Sequence, residues 1–569
     1  MVELKPQSSR PSIYRSNSAY VDFEITNSKI INVDEKGHIV SENNSIVSFH
    51  EEELQKGLKN RHIQLIALGG AIGTGLFVGS GMALHTTGPA ALFLSYIILS
   101  IVVWFVMNMM AEMAAFLPVP GAGAQQFISD YTDPSIGFAL GYNYWYGFTF
   151  LVAAEVVAAA LIVQYWTDKV HIAIWITIFL VMSLIVNLCP VKAYGEVEFY
   201  FAGIKLLAIT GLIILGVVLF FGGGPDHDRL GFRYWKHGNA FHKHLVGGST
   251  GRFLSVWTAI IKAGYSFIMS PELIVACSGE TSNPRKALPR CANQFVYRLA
   301  FFYILGALVI GVIADSRSEK LASGGHGAAA SPFVLGIQNA GIPVLNHIIN
   351  AVVLTSAASA GNSFFYASTR TMYSLAKRGL APKIFTIVNR FGVPYYSVAL
   401  TFAISCLAYL NVSSSSSNVF TWFSNLTTIS GFVSWIFVAI AFIRWKKGII
   451  AQNLQDRVPY TTRFQPFGAY FVIVFIGLIT ITNGYAVFFD FNGPDFVAAY
   501  ITLPIVFFLY VGHRSYSYFY LGRKRWLTPP EEFDFSKLEL VEYEHSQIVE
   551  SESKNKLSNL LKNPFKSAV

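Results

Sequence analysis

Leu65-Ile66-Ala67-Leu68-Gly69-Gly70-Ala71-Ile72-Gly73-Thr74-Gly75-Leu76-Phe77-Val78-Gly79-Ser80-Gly81 is apolar enough to sit in a bilayer, yet it places six glycines in thirteen residues. Each Gly costs roughly 1 kcal/mol against Ala in a helix interior, so a helix built on this stretch is prepared to open. In lipid, unwound backbone survives only where protein buries it or where it lines a cavity. Close packing is the competing reading, because Gly69 and Gly73, and Gly75 and Gly79, follow the four-residue spacing of small-residue contacts between membrane helices. The spacing alone leaves both readings open.

A second interrupted helix lies in the other half of the chain. In Ile261-Lys262-Ala263-Gly264-Tyr265-Ser266-Phe267-Ile268-Met269-Ser270-Pro271-Glu272-Leu273 an apolar run is broken by Gly264, Pro271 and Glu272. Interruptions at corresponding places in two halves point to a binding site between inverted repeats. The physics suits a zwitterion. Amides at a half-helix N-terminus are orphan donors at the positive end of a dipole and receive a carboxylate, while freed carbonyls of the facing half-helix receive an ammonium. Ala71, Ile72, Gly73, Thr74 and Gly75 are the backbone positions expected to hold the substrate.

The surroundings of these two stretches agree with a membrane setting. The 569 residues are 53% hydrophobic and 13% charged, with a mean hydropathy of +0.45; soluble domains carry about twice that charged fraction. Windows of the length a membrane helix needs give about twelve spans. They begin near residues 64, 89, 135, 171, 197, 253, 293, 345, 394, 419, 465 and 494 and are numbered 1 to 12 here. Basic residues concentrate after spans 6 (Arg285, Lys286, Arg290), 8 (Lys377, Arg378, Lys383, Arg390) and 10 (Arg444, Lys446, Lys447, Arg457, Arg463). By the positive-inside rule those loops, and with an even span count both termini, are expected in the cytoplasm. The loop from Gly222 to Arg252 carries basic residues on the other side and is the exception.

The chain therefore divides into an N-terminal tail (1–60), a transmembrane unit (61–515) and a C-terminal tail (516–569). Both tails are polar and are expected to be largely disordered. The N-terminal tail lacks the apolar core of a cleavable signal, so the first span is expected to direct insertion. Asn411-Val412-Ser413 fits a glycosylation sequon on the outer side. Cys189, Cys277, Cys291 and Cys406 show no metal-ligand spacing and read as small apolar fillers. The basic residues are not interleaved with aromatics on one face, so nucleic acid is not an expected partner. The Gly-rich run lacks the Lys-Ser/Thr of a phosphate loop, and neither a nucleophile with its base nor a cofactor motif stands out; the sequence reads as no enzyme.

Charges within a span are expensive and are functional candidates by default. Lys205 lies mid-span in Ala202-Gly203-Ile204-Lys205-Leu206-Leu207-Ala208, too deep for its ammonium to reach an interface, and is the leading candidate to carry a proton. Glu155 in span 3 and Glu272 at the span 6 break are the carboxylates that join it. Glu112 reads instead as the partner of a loop residue. Ser356, Ser359 and Asn362 in span 8 either support Lys205 or glue helices together.

The first-span stretch, extended back to Arg61-His62-Ile63-Gln64, resembles the signature of fungal amino-acid permeases of the amino acid-polyamine-organocation superfamily, and the similarity runs from about residue 54 to 530. Gly222 to Trp235, Ser331 to Ile342 and Leu410 to Ser415 look most like the proline-specific members. The resemblance implies an all-α leucine-transporter-type fold of 5+5 inverted repeats plus two helices, in the plasma membrane. It also implies proton symport, with a lysine at the place of Lys205 standing in for a sodium ion against the broken helix. Lys262 resembles a lysine that proline permeases carry ahead of an aromatic, here Tyr265; Phe267 is expected as the lid, and Thr427 as a selectivity position in span 10. Import of proline, with alanine, glycine or 4-aminobutyrate as further substrates, is the implied activity. A broad neutral amino-acid permease and a non-transporting amino-acid receptor are the alternatives. Lys554, Lys556, Lys562 and Lys566 would suit a ubiquitin ligase as in related permeases, or simply solvate the tail.

Overall fold

The computed structural model describes residues 32–33, 39–40, 69–118, 123–167, 169–276, 284–322, 331–412 and 416–562. Apart from a two-residue antiparallel ladder, Asn32–Val33 on Ile39–Val40, the described residues form helices and their connections. Among the described residues nine helices are long and apolar enough to cross a membrane, and the pair Gly493–Tyr500 and Thr502–Phe519, bent by 48°, makes a tenth span. The 17-residue apolar helix Ile172–Leu188 and the broken first helix complete the expected twelve.

The observed spans 2 to 8 are Pro89–Phe116, Pro134–Val163, Ile172–Leu188, Val191–Phe221, Gly248–Ala276 with an internal break, Pro284–Ile313 and Leu345–Lys377. Span 9 is Tyr395–Ser405 continued by the tight turns Cys406–Val412, span 10 is Ser416–Ala451, and span 11 is Phe467–Ile481. Most begin within a few residues of the sequence estimate. Spans 5 and 7 begin earlier, because their first turns carry Glu196 and Glu198, or Arg285, Lys286 and Arg290. A hydropathy window counts such residues as loop.

Spans 2 and 7, 3 and 8, and 1 and 6 pack against one another. Each pair joins helices five apart in the chain, as two intertwined five-helix repeats require. Bulky apolar residues of spans 4, 5, 11 and 12 face outward, among them Ile174, Ile185, Leu207, Ile214, Val474 and Phe508. Against hydrocarbon that exposure costs nothing.

The ends of the molecule differ. At the end bearing the basic loops, Glu112 accepts hydrogen bonds from the Thr462 amide (2.8 Å) and hydroxyl and pairs with Lys446 at 3.5 Å, a loop partnership of the kind expected for it. The C-terminal segment departs from the expected disorder. Leu538–Lys562 is helical, and Phe533, Phe535 and Leu538 are buried ahead of and at its start. Phe535 packs edge-on against Phe116, and Glu542 bridges Arg457 (2.5 Å) and Arg285 (3.2 Å). Aromatic anchors spaced through a polar segment supply the apolar contact that composition averages away. Ser413, Cys277, Lys566 and most of the N-terminal tail lie outside the described residues, as does the stretch 61–68.

A candidate transport site at two broken helices

Both breaks are present. Span 1 forms a helical turn to Ala71, loses regularity at Ile72 and Gly73, and resumes as a π-turn at Gly75–Gly79 followed by Ser80–Thr87. In span 6 the helix ends at Phe267 and restarts at Ser270, with Met269 in left-handed backbone at φ +58°. A side chain rarely adopts that geometry, and wide turns inside helices recur at functional sites.

The glycines are close-packed as well, so the two readings of their spacing are both right. A Cβ on Gly75 would lie 2.6 Å from the Ser266 backbone, and one on Gly73 would lie 2.9 Å from Glu155 Oε1. Gly264, read as part of the span 6 interruption, sits inside regular helix; a Cβ there would meet Phe432 at 2.5 Å. Its role is to admit span 10, and the break itself falls at Ile268 and Met269.

Freed carbonyls are taken up by side chains from the surrounding helices. Lys205 Nζ, fully buried, donates to the Gly69 carbonyl. Ser356 Oγ donates to Ile72 O at 2.9 Å, and the Tyr303 hydroxyl lies 2.5 Å from Ala71 O and 2.8 Å from Ser266 O. One phenol thus touches both breaks. The Thr74 amide approaches Glu155 Oε1 at 3.4 Å, and Thr74 Oγ1 faces the Tyr265 hydroxyl at 3.5 Å. Glu155 Oε2 is buried with no hydrogen-bond partner among the described residues. The structure therefore gathers Ala71 to Gly75, Tyr265, Glu155 and Lys205 into one cluster.

Other expected site residues stand elsewhere. Glu272 accepts from Trp435 Nε1 at 2.8 Å and faces a void of about 10 Å³ with Gln125, Tyr144 and Arg370, room for about one water. The Lys262 ammonium reaches Thr86 at 2.9 Å, near the far end of span 1. Along a helix that is roughly 18 Å beyond Thr74. Phe267 is a core ring between Tyr96 and Tyr303 rather than a lid, with centroids 5.4 and 4.7 Å away. Thr427 donates its hydroxyl back to Phe423 O at 2.8 Å, and the neighbouring Thr428 is the residue placed against Gly264.

Glu198 escaped the sequence reading. Its fully buried carboxylate accepts from Ser359 (2.7 Å), Asn362 (2.6 Å) and Ser363 (3.2 Å) of span 8. A span start placed at residue 197 put this glutamate at the interface. The signal that would have found it is its seven-residue spacing from Lys205, which puts both on one helix face.

A sequence profile for amino acid permeases matches residues 62–524, most of the chain. The chain belongs to the amino acid permease family. A proline-specific permease of Emericella nidulans is 52% identical over 84% of the permease and 88% of that protein. The proline-specific permease of Saccharomyces cerevisiae is 51% identical over 85% and 78%, and a probable proline-specific permease of Schizosaccharomyces pombe 55% over 79% and 82%. A solved Eremococcus coleocola manganese transporter, in complex with an aromatic bis-isothiourea compound, superposes with a TM-score of 0.51. It is 16% identical and covers 81% of the permease and 94% of its own chain. That likeness concerns the fold alone, which is leucine-transporter-type with two helices beyond the repeats. The permease is a multi-pass membrane transporter of amino acids, not an enzyme.

Proposed function

We propose that the permease imports proline together with protons across the plasma membrane, its basic end and both termini facing the cytoplasm. The proline reading is supported by the proline-specific relatives, each more than half identical. Proline is a secondary amine with one ammonium hydrogen fewer than other amino acids, so backbone carbonyls at the breaks suffice for its charged end. Tyr265, beside Thr74, takes the place over the ring first expected of Phe267. Lys262, directed at Thr86, acts on the path into the site, and Thr427 shapes the span 10 wall.

The observation that carries proton coupling is the buried Lys205 ammonium on the Gly69 carbonyl of the opened helix. Such a contact holds the break in one state while the lysine is charged and releases it when the proton leaves. Glu155, with a carboxylate oxygen lacking a donor beside Thr74, is positioned to supply that proton.

Uptake of labelled proline at several pH values, in cells lacking their own permeases, tests both parts. Concentrative uptake that a protonophore abolishes is the expected result; indifference to the protonophore would sink symport, and preference for arginine or glutamate would sink the substrate assignment. Lys205→Met is expected to reach the surface and lose accumulation. Normal concentrative uptake by that variant would remove Lys205 from the mechanism.

A further inference from the structure

Span 5 carries a buried glutamate, Glu198, and a buried lysine, Lys205, seven residues apart and so about 10 Å along the axis. Side chains in a helix lean toward its N-terminus, which brings the long lysine back toward the level of the glutamate. Both side chains lie against Gly69. Its carbonyl accepts the Lys205 ammonium, and the position of a Cβ on it lies 4.0 Å from Glu198 Oε2 and 3.2 Å from Ala202 Cβ. Glu155 stands against Gly73 and Thr74 on the same broken helix.

We propose that Glu198 receives the proton that Lys205 gives up and hands it to the cytoplasm, a role that rests on Lys205 being the proton carrier and on the basic end facing inward. The Lys205 Nζ–H bond breaks and an O–H bond forms on Glu198, turning an ammonium and a carboxylate into an amine and a carboxylic acid. The acid then releases the proton to cytoplasmic water as hydronium and returns to carboxylate.

The residues around Glu198 suit both of its states. Ser359 and Ser363 donate to the carboxylate, and a hydroxyl can rotate to accept from the acid. Asn362, the third donor, is fixed in orientation by Asn187 of span 4, whose Nδ2 donates to its Oδ1 at 2.6 Å. One turn toward the basic end, Tyr194 stacks on Tyr366 with centroids 4.6 Å apart and planes 9° from parallel, and the Arg370 guanidinium lies 4.5 Å over the Tyr366 ring. Among the described residues the charged or titratable groups about Glu198 include Lys205 and Tyr194 on its own helix and Tyr366 and Arg370 on span 8, while spans 1 and 4 present the neutral Gly69 and Asn187. The stacked pair closes the way out, so release is confined to the state in which spans 5 and 8 separate at that end.

The test uses the full-length permease in proteoliposomes with an imposed pH gradient, comparing wild type, Glu198→Gln and Glu198→Asp in proline exchange and in gradient-driven accumulation. Glu198→Gln keeps an acceptor for the span 8 donors but cannot take the proton. It is expected to retain exchange, lose accumulation and lose the dependence of uptake on internal pH, while Glu198→Asp keeps part of the accumulation. Accumulation by Glu198→Gln equal to wild type would overturn the proposal. So would loss of exchange and accumulation in equal proportion, the mark of a glutamate that only ties span 5 to span 8. Wild type that exchanges proline yet ignores the gradient would instead refute the symport reading, and the role of Glu198 with it.

Discussion

Gly75 and Gly203 show how much a single hydrogen can mean in one helix and how little in another. The first faces the Ser266 backbone so closely that a methyl group would sit 2.6 Å from Cα, whereas nothing lies within 4 Å of a Cβ on the second. Overpacking a rigid contact costs about 1–3 kcal/mol. Gly75→Ala is therefore expected to lower the melting temperature in detergent and to abolish uptake, because spans 1 and 6 must part where they are broken. Gly203→Ala, in mid-helix and facing open space, should raise stability slightly, by about 0.5–1 kcal/mol, through helix propensity alone. Equal melting shifts for the two would contradict the packing seen at the breaks.

At the scale of elements, the C-terminal half of span 1 is tied to the loop between spans 5 and 6 and to the start of span 6. His242 Nδ1 faces His85 O at 2.9 Å and its Nε2 faces Ser316 Oγ at 3.0 Å, while Ser255 Oγ donates to Thr87 O at 2.7 Å. With Nδ1 donating to the carbonyl, Nε2 is left to accept from the serine hydroxyl, so the contact is made by the neutral ring. Burial, the largest influence, holds this imidazole below the usual histidine range. The unfolded chain then takes up a proton that the folded loop resists as pH falls through about 6.5. Stability from this contact is complete above that pH and is lost progressively in more acid solution. Melting curves across about pH 7 to 5 should show an acid limb that His242→Gln flattens; an unchanged limb would place the titrating group elsewhere.

For the whole molecule, the C-terminal segment belongs to the folded unit. Phe533 and Phe535 pack on Tyr131, Phe116 and one another, Gln452 donates to Phe533 O at 3.0 Å, and Arg444 donates to Tyr131 O at 2.7 Å. Phe535→Ala should cost about 3 kcal/mol, as for other buried aromatics, whereas Glu542→Gln, at a carboxylate about a third exposed, should cost less than about 1 kcal/mol. Thermal unfolding of the two variants in detergent would rank them. A larger effect at Glu542 would mean that the ion pairs, and not the rings, hold the segment down.

Twelve apolar spans, two interrupted helices and an isolated lysine were legible in the sequence because each is a local property: hydropathy summed over a window, helix propensity of Gly and Pro, the cost of one charge in lipid. Membrane setting, the break at Ala71 to Gly75 and the candidacy of Lys205 and Glu155 as charges within a span follow from these, whereas the 5+5 repeat organisation is implied by the resemblance to amino-acid permeases. What only the tertiary structure decided was direction and partnership. That Gly264 packs against Phe432, that Phe267 fills a core, that Lys262 reaches the far end of span 1 at Thr86, and that Glu198 lies inside the protein on Ser359, Asn362 and Ser363 all depend on which helix stands opposite. A chain fixes the spacing of its own residues along one helix; the atoms that face them come from other spans, most of them far away in the chain, and only packing brings those together.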